Sequence, residues 1–469
     1  MIYFLGNILF AEEVVVFGKR MKILCYIRPW NKEQFECLAK SLEPSAGVIF
    51  CSEHASVDAV GLRAAYYANL TDGNIVSDLT PGEQDDFILR CRLLRTLDRP
   101  EAVRHLLAMG HAVKELLVKE QPCVVLSLMV DSYIMDLLRH YCESLGFKFV
   151  GLVPTFVNGY FRVTARGEPN YNPCADACNI QGIKQALLDP MYAPAFNAKA
   201  LASPLRGMLR RWAANIARVP YFYVKRHLLK DPYNYHYWAA QIVSSSLFNF
   251  FPPSDPGDTD WLSTIQNIDK PVLYIPLQMV PEATVDYWCN NVEVVDYYAQ
   301  MERFISKHHN AFQIVIKEHP SVMSSRPFGF YQRLARDKRV TVVPTYTPSN
   351  EVLAMADAVL VWTGSVGFEA ALRGKSVICL GDPYYLYGSR FLKINPTTES
   401  GVINEHIQVT KAQPVSPEEQ DELISYLATQ LFLGNFKNDG TWSEYSEKDL
   451  TDCKVMANSL RALLECDVV

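Results

Sequence analysis

Residues 358–381 read AVLVWTGSVGFEAALRGKSVICLG. Ala358–Val361 is a short apolar run of strand formers, Thr363-Gly364-Ser365 is a small-residue turn, a helix opens at Val366, and Val377–Leu380 is a second buried strand. Two apolar strands joined through a helix form one step of a parallel sheet, because parallel neighbours need a long crossover. Upstream, the same alternation predicts strands at Val272–Ile275, Phe312–Ile316 and Thr341–Val343. Helices are expected near Val294–Lys307 and from Ser349. A second series lies closer to the N-terminus, with strands at Lys22–Ile27, Gly47–Cys51, Cys123–Val130 and Phe147–Leu152. Asp85–Lys119 between them has helical periodicity that Pro100 splits into two helices. The fold class is therefore α/β, with two doubly wound units. The expected divisions are 1–195, a linker 196–262, a second unit 263–400 and a helical tail 401–469. In the tail, Ser416, Pro417 and Glu419 form a capping box and Gly434 ends the helix.

The 469 residues are 49% hydrophobic and 20% charged, enough for large cores and too apolar for disorder. A net charge of -6 gives no global positive field, so nucleic acid is not an expected partner. Twelve cysteines are scattered, several inside apolar runs, which reads as buried thiols in a reducing cytosol. Cys174 and Cys178 have no second Cys/His pair at zinc spacing. No run of about 18 apolar residues exists to span a membrane. Ile2–Phe10 is apolar, but Glu12 and Glu13 follow it, and it lacks the basic start and cleavage site of a secretory signal.

In doubly wound sheets ligands sit beyond the carboxyl ends of the strands. Two polar clusters fall there: Lys317-Glu318-His319-Pro320, and Thr363-Gly364-Ser365-Val366-Gly367-Phe368-Glu369. The second feeds a helix start, whose free N–H groups and hydroxyls can receive a phosphate. Glu369, one turn on, can accept hydrogen bonds from ribose hydroxyls. The nucleotide-binding candidates are Lys317, His319, Thr363, Gly364, Ser365, Gly367 and Glu369. Helix capping and solvated loop residues would explain each one singly.

The run YIPLQMVPEATVD at 274–286, KEHP at 317–320, and TGSVGFEA with GKSVICLG up to Gly381 resemble bacterial capsule and surface-polysaccharide biosynthesis glycosyltransferases. The resemblance covers residues 270–390 well and the first half faintly. It implies a GT-B fold: two Rossmann-like domains facing a cleft, with the acceptor against the first and the donor nucleotide in the second. The His-Pro pair with a Ser/Thr-rich turn is also similar to motifs of Kdo transferases and bacterial sialyltransferases, which use CMP-sugars. On that analogy His319 and Ser365 bind the CMP phosphate and ribose.

Sugar transfer needs a carboxylate near the anomeric carbon. Asp131 directly follows the buried strand Cys123–Val130, where it can act as base or nucleophile, although capping of the helix Tyr133–Leu145 explains it equally. Glu282 is the alternative and Glu168 trails. Arg28, Arg162 and Arg166 follow strands of the first unit and are substrate-binding candidates, exposure being the alternative. Tyr384-Tyr385-Leu386-Tyr387 can stack on a base or sit in the core. Asp258-Thr259-Asp260 follows prolines and Gly257 and reads as an acidic linker; neither metal nor cofactor is expected. Residues 196–230 carry eight Lys or Arg and no Asp or Glu. With Trp212, Tyr221, Phe222 and Tyr223, this segment suits either an anionic membrane surface or an interdomain helix facing acidic partners.

The expected function is a cytoplasmic, metal-independent glycosyltransferase, peripheral on the inner face of the membrane. It would transfer a sugar from a nucleotide sugar, CMP-Kdo or a related CMP-ulosonic acid first, to a glycan or lipid-linked glycan of capsule or lipopolysaccharide. The alternatives are a UDP-hexose donor, an enzyme of the UDP-N-acetylglucosamine 2-epimerase type, and a non-enzymatic export scaffold.

Overall fold

The computed structural model describes residues 21–466 apart from 73–74, 174, 176–177, 193, 195–208, scattered positions between 211 and 227, 229–254, 267–268, 281, 321–325, 328 and 336–339. Most of the basic stretch 196–230, with all of its Lys and Arg except Arg210, thus lies outside the described residues.

Two six-stranded sheets organise the chain. The first contains β1 (Lys22–Tyr26), β2 (Gly47–Cys51), β3 (Val124–Leu128), β4 (Lys148–Pro154) and β5 (Tyr160–Val163). The second contains β6 (Val272–Pro276), β7 (Gln313–Lys317), β8 (Val340–Val343), β9 (Ala358–Val361), β10 (Ser376–Cys379) and β11 (Phe391–Lys393). The last strand, β12 (Phe432–Leu433), returns to the first sheet.

In the first sheet the order is β2-β1-β3-β4-β5-β12, parallel from β2 to β4 and antiparallel beyond. In the second, the order β8-β7-β6-β9-β10-β11 is parallel throughout, with Ile275 opposite Ile316 and Tyr274 opposite Val359. This is the doubly wound order in which the chain reverses direction between its first and fourth strands. The reversal lies between β6 and β9, so the open crevice of this unit falls at the residues following Pro276 and Val361. Strands buried on both faces read as continuous apolar runs, which is why most were visible in the sequence. The short strands β5, β11 and β12 were not anticipated.

Local chemistry sets the breaks. The split near Pro100 is present, but it is wider than the periodicity predicts. Helix Pro81–Arg90 ends, Cys91–Asp98 runs as an irregular segment around a short turn at Leu94–Thr96, and helix Arg99–Glu120 starts with Asp98 accepting from Glu101 N at 2.9 Å. Ser416 caps helix Pro417–Ala428 by accepting from Glu419 N at 3.1 Å. The capping box stays half made, because the Glu419 carboxylate accepts two 2.7 Å bonds from Arg390 instead. Gly434 follows β12 rather than ending that helix.

After helix Ser400–Ala412 the chain leaves the second sheet. Helix Pro417–Ala428 packs on helix Ile180–Leu188, where Lys184 pairs with Asp421 at 2.7 Å. Helix Glu447–Cys466 lies along helix Lys32–Leu42, with Arg461 Nε donating to Leu42 O at 3.0 Å.

Candidate functional site

Gln278 sits at the reversal point, just past β6. Its N–H donates to Tyr297 Oη at 3.0 Å and its carbonyl accepts from Arg326 Nη2 at 2.6 Å, so the backbone is pinned and the carboxamide is aimed at the 363–365 bend. Gly364 leaves room for that approach: a Cβ there would lie 2.6 Å from Gln278 Nε2 and would push the carboxamide away. Thr363 is 6% exposed, and its hydroxyl oxygen is buried without a partner. An unpartnered buried hydroxyl costs free energy unless something else satisfies it. Ser365 makes no capping bond; its Oγ lies 3.4 Å from Glu369 Oε1. Burial pushes the Glu369 carboxyl up, opposed by Arg373 and by Ser365. Gly367 has a packing role: a Cβ would meet Tyr385 Oη at 2.6 Å and Val361 Cγ2 at 3.0 Å.

The 317–320 cluster divides in two. Lys317 is 6% exposed and reaches Ser349 Oγ at 3.4 Å, and burial lowers its ammonium to about 8, so it is turned into the protein rather than offered to a ligand. Glu318 is fully buried in a bidentate pair with Arg326, at 2.8 and 2.6 Å, and accepts from Tyr331 Oη. Burial by itself would raise this carboxyl; the Arg326 charge and the hydrogen bonds hold it below the ordinary range. The pair fixes the loop, and the His319 N–H donates to Glu318 Oε1 at 2.5 Å. His319 stays half-buried. The strands preceding His319 and Thr363 flank β6, so their ends are about 10 Å apart at ordinary strand spacing. The two clusters therefore stand on either side of Gln278, and a ligand touching both must pass over it.

In the first unit, Asp131 accepts from Arg28 Nη2 at 2.5 Å, and Arg28 Nε lies 3.4 Å from Glu53. Helix Tyr133–Leu145 starts at Ser132 with no side-chain cap, so capping does not account for Asp131. Across the cleft, three arginines of the first unit grip the start of the second. Arg92 pairs with Asp286 through Oδ2, Arg95 reaches Oδ1 of the same carboxylate at 3.0 Å, and Arg90 Nη1 donates to the carbonyls of Asp286 and Cys289 at 2.9 and 2.7 Å. Asp286 ends the short helix Ala283–Asp286, and Glu282 is its N-cap residue. Glu282 keeps some solvent contact, yet burial pushes its carboxyl up to about 7, with Thr284 and Arg92 opposing and Asp286 reinforcing. Arg92 feels both Asp286 and Asp131. The two carboxylates singled out from the sequence thus both lie within electrostatic reach of the Arg92 guanidinium.

All three substrate-binding expectations are corrected: Arg28 is 3% exposed and is held between Asp131 and Glu53 rather than offered to a ligand, and the other two are likewise engaged. Arg162 is 1% exposed, lies 3.8 Å over the Tyr384 ring, and donates to Gln430 Oε1 at 3.1 Å. Burial lowers it to about 10. Arg166 is tied to Asp86 at 2.5 Å and Asp136 at 2.9 Å. Both are internal struts. Glu168 caps its own loop, accepting from Ala165 N and Arg166 N at 2.5 and 2.6 Å. Tyr384 and Tyr385 are core residues, and Tyr387 stacks on Tyr426 at 4.5 Å. Asp258 accepts from Asp260 N at 2.9 Å beside β8, a turn rather than a cation site. Among the described residues no cluster of His, Cys, Asp and Glu is arranged to hold a metal, and no helix is long and apolar enough to cross a membrane.

Residues 259–388 match the family model described as capsule polysaccharide biosynthesis protein. The capsule polysaccharide modification protein LipA of Neisseria meningitidis serogroup A is 28% identical over 132 residues, 28% of this chain and 18% of LipA; LipA of serogroup B matches equally over 129 residues. The chain thus spans under a fifth of the length of these relatives. Among solved structures, the β-Kdo 2,7 transferase of Thermosulfurimonas dismutans KpsC is similar at 13% identity, covering 89% of this chain and 94% of that one with a TM-score of 0.37. UDP-GlcNAc 2-epimerase of Neisseria meningitidis bound to UDP-GlcNAc is similar at 13% identity, covering 94% and 99% with a TM-score of 0.25. The stretch that builds β6 to β10 of the second sheet, with Gln278, His319 and Thr363 at its crevice, is a match to the capsule polysaccharide biosynthesis family.

Proposed function

We propose that this protein is a glycosyltransferase of bacterial capsule or surface-polysaccharide biosynthesis, taking its sugar from a nucleotide donor, CMP-Kdo or a related CMP-ulosonic acid first. The observation that supports the reading is that Gln278, His319 and Thr363 gather at the reversal point of the second sheet, while the Asp131 and Glu282 carboxylates both come within electrostatic reach of Arg92. The crevice offers an amide, an unsatisfied hydroxyl and the half-buried His319 to a phosphate and ribose. Thr363, Gly364, Ser365 and Glu369 stay in the nucleotide site. Lys317 and Gly367 support it from behind.

In the transfer, the bond from the anomeric carbon to the phosphate oxygen breaks and the nucleotide leaves with its electron pair. The acceptor hydroxyl oxygen bonds to the anomeric carbon, and its proton goes to a carboxylate. A carboxylate whose ordinary range has been moved toward neutrality suits that proton transfer, which assigns it to Glu282. Asp131, oriented by its ion pair with Arg28, faces the positive charge that develops at the anomeric carbon. The acceptor is a growing glycan or its lipid-linked primer, and the basic segment 196–230 would bring the protein to the membrane face where such primers lie.

Calorimetry with CMP and with UDP tests the donor. Tight binding of CMP over UDP supports the CMP-sugar reading; the reverse moves it to a UDP-hexose, and binding of neither removes the proposal. Incubation with the donor alone, watched for an epimerised sugar, separates transfer from epimerisation.

A further inference from the structure

Helix Ala283–Asp286 belongs to the second unit, yet its charged neighbours come largely from the first. Arg92 and Arg95 both end on the Asp286 carboxylate, and Arg90 holds the carbonyls of Asp286, Cys289 and Asn290. All three belong to residues 90–95, around the irregular segment that interrupts the helices. Asp286 lies one turn from Glu282 and donates its N–H to Glu282 O at 3.2 Å, so whatever fixes Asp286 fixes the base of the Glu282 side chain. Arg92 is buried, is paired with Asp286, and lies within electrostatic reach of Asp131.

We infer that Arg92 is a positioning residue for Glu282, a positive charge delivered across the cleft that makes this carboxyl fit for proton exchange only while the two units are clasped. The inference rests on the assignment of Glu282 as the proton acceptor. The groups gathered there are Thr284, Asp286 and Tyr287 of the second unit, Arg92, Arg95 and Arg90 of the first, and Asp131 with Arg28 beyond Arg92. Arg92 lowers the Glu282 carboxyl and Asp286 raises it, so removing either shifts it in opposite directions.

The test reads the titration of Glu282 without needing the acceptor. A carboxyl raised in the folded state favours folding only while protonated, so this contribution is full below the unfolded range and is lost as pH rises to the folded value. The stability advantage of E282Q over wild type, measured by urea unfolding of the full chain from pH 4 to 9, should open with rising pH and level off near 7. Measured as the same difference in an R92Q background, levelling should move up by about one pH unit. In a D286N background it should move down, and in R92K it should stay at the wild-type position. If R92Q does not fold, R92M, which keeps the side chain's length without its charge, takes its place, with the same upward shift expected and no shift overturning the inference. Levelling at the wild-type pH in both R92Q and D286N, or a rise in D286N, overturns the inference. Donor cleavage, read as CMP release from CMP-Kdo, keeps the two claims apart. Normal release by E282Q with the shifts intact removes the catalytic assignment alone; lost release with no shifts removes the role of Arg92 alone.

Discussion

The Arg28 guanidinium donates to Asp131 at 2.5 Å across 103 residues of sequence, and the same guanidinium lies 3.4 Å from Glu53, so one buried cation serves two carboxylates. The ion pair holds the Asp131 carboxylate in one orientation. The charge is present before any substrate arrives, which is what electrostatic stabilisation of a developing cation requires.

Asp131→Asn should therefore lower transfer by about 10²- to 10⁴-fold while CMP or UDP affinity stays as in the wild type. Steady-state rates and calorimetry on the same preparation check both halves. Normal turnover would take the role away from Asp131.

Gln278→Ala and Thr363→Ala should each weaken nucleotide binding by about 1 to 3 kcal/mol, because each removes a buried polar group that a ligand would satisfy. His319→Ala should weaken it similarly from the other side of β6. Unchanged calorimetric affinity in all three variants would empty this crevice of its ligand.

Arg326→Ala leaves the buried Glu318 charge alone and should destabilise the fold by about 3 to 5 kcal/mol in urea unfolding. Because the Glu318 carboxyl is held low in the folded state, its contribution is present at neutral pH and is lost as pH falls through the folded value. The difference between wild type and Glu318→Gln should accordingly shrink in acid.

With Glu282 as proton acceptor, transfer should fall as pH drops below about 7, since the protonated carboxyl cannot take a second proton. Replacing Glu282 with Gln should remove that limb along with most of the rate. A limb that persists in the variant would belong to another group.

Gly151→Ala tests the interior of the first sheet, on β4 between β3 and β5. A Cβ at Gly151 would stand 2.2 Å from Thr164 O, a backbone atom that cannot swing aside, so about 1 to 3 kcal/mol or more should be lost. Thermal unfolding measures it.

Much of the framework was legible because doubly buried strands leave unbroken apolar runs, as at Ala358–Val361 and Val377–Leu380. The crevice at 363–365 and the placement of Asp131 followed from where those runs end. What escaped were partners joined by the fold alone. Arg92 meets Asp286 across 194 residues, and Arg162 meets Gln430 across 268, separations at which no local pattern carries information. Arg162 and Arg166 looked like surface cations because nothing nearby in sequence neutralises them. Gln278 stood inside a quoted motif, but its importance depends on β6 being the strand where the order reverses. The short strand Tyr160–Val163 escaped because four residues with a charge among them match no strand pattern strongly.

The return of the chain after helix Ser400–Ala412 makes the second unit an insertion rather than an appendage. In sequence the second unit therefore lies between stretches that both belong to the first unit. A stop codon near residue 430 would leave that unit nominally intact and instead unroof the first, stripping β12 from its sheet and the helix Glu447–Cys466 from its flank.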